Sequence, residues 1–221
     1  MREGKKPDIP YTLADMAGDG IGVLDALGLK RAHVMGISMG GMIVQRMAIH
    51  HPERLISVTS IMSSTGNPDL PGASDEALKA LQAQPPSEER EDVIRHRMKG
   101  RRVYQSPAWP KTEDDLYALV AREYDHMYYP EGGQRQYAAI MGDGSRVEAL
   151  KKIRVPFLVI HGKADPLVPH AGGADTAKSV PGARLVSIDG MGHDLPVELC
   201  PQYVELITGH ARAAEAKQAA E

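Results

Sequence analysis

A chain of 221 residues can bury a sizeable core as one domain, or as one domain with an insertion. Its charge is nearly balanced, 26 Lys and Arg against 29 Asp and Glu for a net of −3, which gives no electrostatic footing for nucleic acid or an anionic membrane. The hydrophobic share of 42% includes no run near the ~20 apolar residues that span a bilayer, and the single cysteine permits no internal disulfide. That usage suits a reducing cytoplasm. Cys200 itself, between Leu199 and Pro201, reads as a buried packing residue.

The first ten residues, MREGKKPDIP, are charged and lack an apolar centre, so they read as an arm and not as a signal peptide. Thr12 then caps a helix, with Asp15 supplying favourable charge in its first turn. Leu13, Met16, Ala17, Ile21, Leu24 and Leu27 follow helical spacing, and Gly28 ends the run. The embedded Gly18-Asp-Gly-Ile-Gly22 follows no strand, so it is no dinucleotide loop.

Residues 32–47, AHVMGISMGGMIVQRM, organise the chain. An apolar strand runs into Gly-Ile-Ser-Met-Gly and a helical pattern starts at once, which puts Ser38 on a sharp strand-to-helix turn. Such a turn needs neighbours without bulk on either side, and Gly36 and Gly40 meet that need. Gly41 extends it into the first helical turn, where free N–H groups point toward whatever sits beside Ser38.

His51-Pro52 closes that helix, and LISVTSIM makes the next strand over 55–62. His50 and His51 lack any companion at metal-site spacing. From residue 63 the periodicity breaks, and to about 135 the chain forms charged, weakly apolar helices separated by prolines. Two further apolar runs each end in a polar loop: VPFLVIHGKADP, carrying Asp165, and RLVSIDGMGH, carrying His193. The alternation of helices with near-continuous apolar strands argues a parallel sheet covered on both faces. A last apolar-spaced helix trails into polar sequence whose end is expected to fray.

In order and motif, GISMGGMIVQRMA, GKADPLVP and GMGHDLP, with TLADMAGDGIGVLDALGL before them, resemble the α/β-hydrolase superfamily. They are similar to its small carboxylesterase branch, which includes aclacinomycin methylesterase-like enzymes. The resemblance covers the chain apart from its variable middle. It implies an α/β-hydrolase fold, Ser38 as nucleophile, Asp165 as orienting acid and His193 as general base. Asp189 precedes the loop and Asp194 adjoins the histidine too closely to align with its ring, so neither suits the acid's role. His161 reads as a strand-end structural residue.

Hydrolases of this fold often carry a helical cap in the place of the charged middle. The domains are therefore expected as a core of 1–62 and 136–221 with a cap of 63–135. Within the cap Trp109, Tyr104, Tyr124, Met127, Tyr128 and Tyr129 are the candidate substrate contacts, with Trp109, Met127 and Tyr128 preferred, and the cluster of Arg95, His96, Arg97, Lys99, Arg101 and Arg102 reads as a solvated helix end.

Only 33 residues precede Val34, and a strand-helix-strand unit needs roughly 30, so the family's earlier strands are expected to be missing. About four parallel strands remain in this N-terminally truncated sheet. Two consequences are expected. The backbone N–H of Met39 is the one identifiable oxyanion donor. The serine strand, apolar on both faces, keeps an open edge that invites a homo-oligomer, with the N-terminal arm one means of covering it. The reading is a serine carboxylesterase for small to medium esters, with no metal or organic cofactor indicated. Thioester cleavage, perhydrolysis, carbon-carbon hydrolysis and a catalytically impaired binding protein are the alternatives.

Overall fold

The computed structural model describes residues 9–220, and most of the expected arm lies outside them. Helix α1 (Leu13–Ala26) opens on a full capping box: Thr12 Oγ1 accepts the Asp15 N–H at 3.1 Å while Asp15 accepts the Thr12 N–H at 2.8 Å. Gly28, with φ of 68°, ends the helical stretch in the left-handed region.

Four strands follow, β1 (Ala32–Ile37), β2 (Leu55–Ile61), β3 (Phe157–Gly162) and β4 (Arg184–Ile188), all parallel and side by side in chain order. The crossovers are helical. Helix α2 (Met39–His50) links β1 to β2, and α8 (His170–Ser179) links β3 to β4. Between β2 and β3 run α3 (Asp75–Gln82), α4 (Arg90–Tyr104), α5 (Glu113–His126), α6 (Pro130–Asp143) and the single turn α7 (Val147–Leu150). Helix α6 passes straight through residue 135, the expected domain boundary.

Period-two alternation sorts the strands onto two cores. Phe157 and Val159 join Val44, Met47 and Leu24 beneath α1 and α2, whereas Leu158 and Ile160 join Ile61 and Tyr203 beneath α9 (Cys200–Ala219). Strand β1 departs from the expected two apolar faces. Ala32 and Val34 pack inward, while His33 and Met35 are exposed, Met35 at 51%.

Two other expectations need correction. Cys200 is exposed, because it opens α9 facing outward while Leu199 and Tyr203 take the inward positions. The polar end of α9 stays helical to Ala219, with Ala214 buried and Gln218 accepting from Arg31 at 3.1 Å. No helix among the described residues is long and apolar enough to cross a membrane.

Candidate active site

Ser38 stands between β1 and α2 with φ of 55° and ψ of −117°, a conformation that L side chains rarely adopt. Hydrogen bonds hold it there: its N–H donates to Ile61 O at 2.9 Å, and its carbonyl accepts from Gly41 N at 2.9 Å. The glycines divide the work differently from the expectation. A Cβ at Gly36 would run into the Gly40 carbonyl and one at Gly41 into Ser60 and Ser63, whereas a Cβ at Gly40 meets nothing. At Gly40 it is the backbone that makes the close approach. The N–H groups of Met39 and Gly40 have no acceptor among the described residues, as the first turn of a helix leaves them.

Asp165 follows β3 in a turn closed by its own carboxylate, whose Oδ1 accepts from Leu167 N at 2.9 Å and Val168 N at 2.8 Å. His193 follows β4. The two loops are joined directly, Ala164 N–H donating to Met191 O at 3.0 Å. A Cβ at Gly162 would strike the same carbonyl, so only glycine permits the approach.

The three side chains singled out in the sequence meet. His193 Nδ1 lies 2.7 Å from Asp165 Oδ2, and its Nε2 lies 2.9 Å from Ser38 Oγ. A carboxylate only accepts, so Nδ1 carries the hydrogen and Nε2 is left to accept from the serine hydroxyl. The Asp165 side chain is fully buried. Burial alone would raise its carboxyl. The nearby His161 N–H, the hydrogen bond and positive charge of His193 and the Val168 N–H outweigh that and hold it at about 2. His161 is itself fully buried and donates from Nε2 to Val168 O at 2.8 Å, bracing the turn that carries Asp165. Its Nε2 is 3.6 Å from Asp165 Oδ2, too far for a full hydrogen bond. Of the rival carboxylates, Asp189 is exposed and pairs with Lys163, and Asp194 bonds Ser106.

A cavity of about 490 Å³ opens beside Ser38 and His193. Leu81, Leu116, Leu119 and Leu167 supply much of its apolar lining, and Arg101, Lys111, Glu123 and Asp194 its charges. Of the candidate contact residues Tyr104 lines the cavity, and the three preferred ones lie elsewhere. Trp109 packs against the core cluster under α9, Met127 is 68% exposed, and Tyr128 stacks on Tyr124 at 4.7 Å beneath the Arg97 guanidinium. The lining had a faint signal in Leu116, Leu119 and Glu123, which recur at helical spacing along α5. Most of the cations on α4 are engaged, Arg95 with Glu91, Arg101 with Glu123 and Arg102 with Glu113.

A buried cluster that the sequence did not signal ties α2 to its surroundings. Arg146, 2% exposed, donates to Gln45 Oε1 at 2.9 Å and Ser64 O at 2.7 Å and pairs with Asp143, which also accepts from Arg46 at 2.8 Å. Among the described residues no group of three His, Cys, Asp or Glu side chains is placed to hold a metal ion.

The alpha/beta hydrolase fold family model matches residues 3–198. Rhodomycin D methylesterase of Streptomyces peucetius is 27% identical, over 93% of this chain and 75% of its own. Among solved structures, an N-acyl homoserine lactone degrading enzyme aligns with a TM-score of 0.69 at 27% identity, over 94% of this chain and 78% of its own. A meta-cleavage product hydrolase from Pseudomonas fluorescens shares the fold with a TM-score of 0.72 at 18% identity, over 97% and 75%. A family match of that extent, on a parallel sheet that turns sharply through Ser38 into a helix, means that the chain belongs to the α/β hydrolase fold family.

Proposed function

We propose that the protein is a serine carboxylesterase acting on small to medium carboxylic esters. The observation that carries this reading is the unbroken line of hydrogen bonds from Ser38 Oγ through His193 to Asp165, at 2.9 and 2.7 Å, opening on the cavity. A serine hydroxyl is a weak nucleophile at neutral pH. His193 Nε2 removes its proton as Oγ attacks the ester carbonyl, and Asp165 keeps the ring in the accepting tautomer and offsets its new positive charge. The Met39 N–H, without an acceptor among the described residues, stands at the helix start beside Ser38 and is the donor that meets the oxyanion. His193 then returns the proton to the departing alcohol, and water, activated the same way, cleaves the acyl-enzyme.

The leucines around the cavity favour an apolar acyl or alcohol group, and its volume falls in the range of ordinary small-molecule sites. Helices α3, α4 and α5, which line it, act as the cap. Similarity to a methylesterase and a lactone-degrading enzyme supports the same class of bond. The edge of β1, unpaired among the described residues, and the exposed Met35 support a second copy of the chain there, for which a stable monomer in gel filtration with light scattering is the contrary result. The decisive experiment is hydrolysis of p-nitrophenyl butyrate. Wild-type protein cleaves it and Ser38→Ala does not; equal rates from the two sink the esterase reading.

A further inference from the structure

Asp194 stands next to His193 yet makes none of the imidazole's hydrogen bonds. Its side chain is 10% exposed, and its Oδ1 takes both the hydroxyl of Ser106 and the Ser106 N–H, the latter at 2.9 Å, while Lys111 Nζ stands 3.6 Å from Oδ2. Ser106 is fully buried in the segment between α4 and α5, and its hydroxyl, having donated to Asp194, accepts the Gly192 N–H at 2.9 Å. One residue on, the His193 N–H donates to the Tyr104 carbonyl at the end of α4 at 2.7 Å. Ala108 N–H donates to Gly190 O at 3.3 Å, and a Cβ at Gly192 would meet the backbone of Tyr104 and Gln105. The His193 loop is therefore fastened on one side to the Asp165 loop and on the other to the helices.

We propose that Ser106 and Asp194 are positioning residues, a latch that locks the α4–α5 segment onto the His193 backbone so that the helices around the cavity set where the imidazole stands. The inference rests on the reading of His193 as general base. Arg101, Tyr104, Gln105 and Lys111 line the cavity from the same stretch of chain, so a group filling it bears on the segment that carries the latch. The Ser106 hydroxyl is the relay: without it, the Gly192 N–H is buried with no acceptor and the Asp194 carboxylate loses a donor. Asp194→Asn keeps the oxygen that accepts from Ser106 and gives up the charge and the second oxygen, which faces Lys111.

The test uses Ser106→Ala, Asp194→Ala and Asp194→Asn in the full chain, with Ser38 titrated by a fluorophosphonate so that rates refer to competent sites. A displaced base costs turnover, so both alanine variants are expected to lose about 10- to 100-fold in kcat with little change in KM. Asp194→Asn is expected to keep most of the wild-type kcat and an unshifted pH-rate profile. Amide exchange at Gly192 and His193 is expected to quicken in Ser106→Ala and to stay slow in Asp194→Asn. Wild-type turnover per site in the alanine variants overturns the latch. So does an asparagine variant as poor as the alanine one with a displaced pH profile, which would make Asp194 act by its charge. A wild type that hydrolyses no ester refutes the esterase reading instead, and the exchange rates still decide the latch: unchanged protection in Ser106→Ala overturns it.

Discussion

The cavity has two walls built on different principles. Below Ser38 and His193, β3 buries Leu158, Val159 and Ile160 at 1% exposure or less, and the loops beyond it are joined backbone to backbone through Ala164 and Met191. Across the cavity, α4 and α5 share a small cluster of Ile94, Met98, Leu116, Val120 and Ala121, and ion pairs such as Arg90–Asp125 and Arg101–Glu123 hold the rest. Apolar burial stabilises roughly in proportion to area and is not subject to screening, whereas exposed pairs contribute little and are screened. The sheet wall is thus suited to hold reacting atoms in register and the helical wall to adjust around a substrate.

The largest expected effect falls on the sheet wall. Ser38→Ala lowers ester turnover by at least about 10⁴-fold with the fold intact, because the neighbours of the hydroxyl have nothing left to activate. Asp165→Asn follows, at about 10⁴-fold, because the amide lets the ring adopt the other tautomer. Melting curves against pH read the same carboxylate as a stability element. Its folded-state value of about 2 lies below the ordinary 3.8, so its contribution is fully present above about pH 4 and is lost as pH falls through 2. Over that window the wild type loses roughly 2 kcal/mol that Asp165→Asn, already without the carboxylate, does not lose. Parallel pH dependences in the two proteins contradict the assignment.

What was legible in the sequence follows the same division. The sheet wall is written locally: apolar runs, glycines where backbones touch, and polar residues just past strand ends point to Ser38, Asp165 and His193 within a few residues of each. Helix α1 was equally plain, since Thr12 at its start and Gly28 after its end are local signals, although Asp15 was read for its charge and not for the bond it returns to the Thr12 N–H. The helical wall is a matter of which helix faces which, and amphipathic spacing does not say. Trp109 therefore packs into the core instead of the cavity, Met127 faces solvent, and Leu81 lines the site unannounced. The Ser106–Asp194 contact joins residues 88 apart and Arg146–Gln45 joins residues 101 apart, neither with a local pattern. Cys200 was misread because its apolar neighbours are local while the direction it faces is set by the packing of α9.

Truncating one buried residue in each wall sharpens the contrast. Ile160→Ala is expected to cost about 2–5 kcal/mol, because β3 is covered on both faces and a closed void remains. Leu116→Ala is expected to cost less than Ile160→Ala, because the space it frees joins the existing cavity, and to shift preference toward longer acyl chains. Chemical denaturation checks the first claim and a chain-length series of p-nitrophenyl esters the second. Equal costs with an unchanged series leave the two walls indistinguishable.

The smallest effect concerns the charges of the helical wall. Arg101 Nη2 reaches both oxygens of Glu123, at 2.9 and 2.8 Å, but the two side chains are 33% and 38% exposed. Solvent screens a pair that open, so Glu123→Gln is expected to change stability by less than about 1 kcal/mol. Its effect belongs to binding, because it leaves Arg101 without its partner in the cavity lining. An ester bearing a carboxylate should then gain in kcat/KM relative to a neutral ester of the same length, and added salt should erase the gain. A stability loss of several kcal/mol would instead make this pair a structural part of the fold, and the division between a rigid wall and an adjustable one would no longer hold.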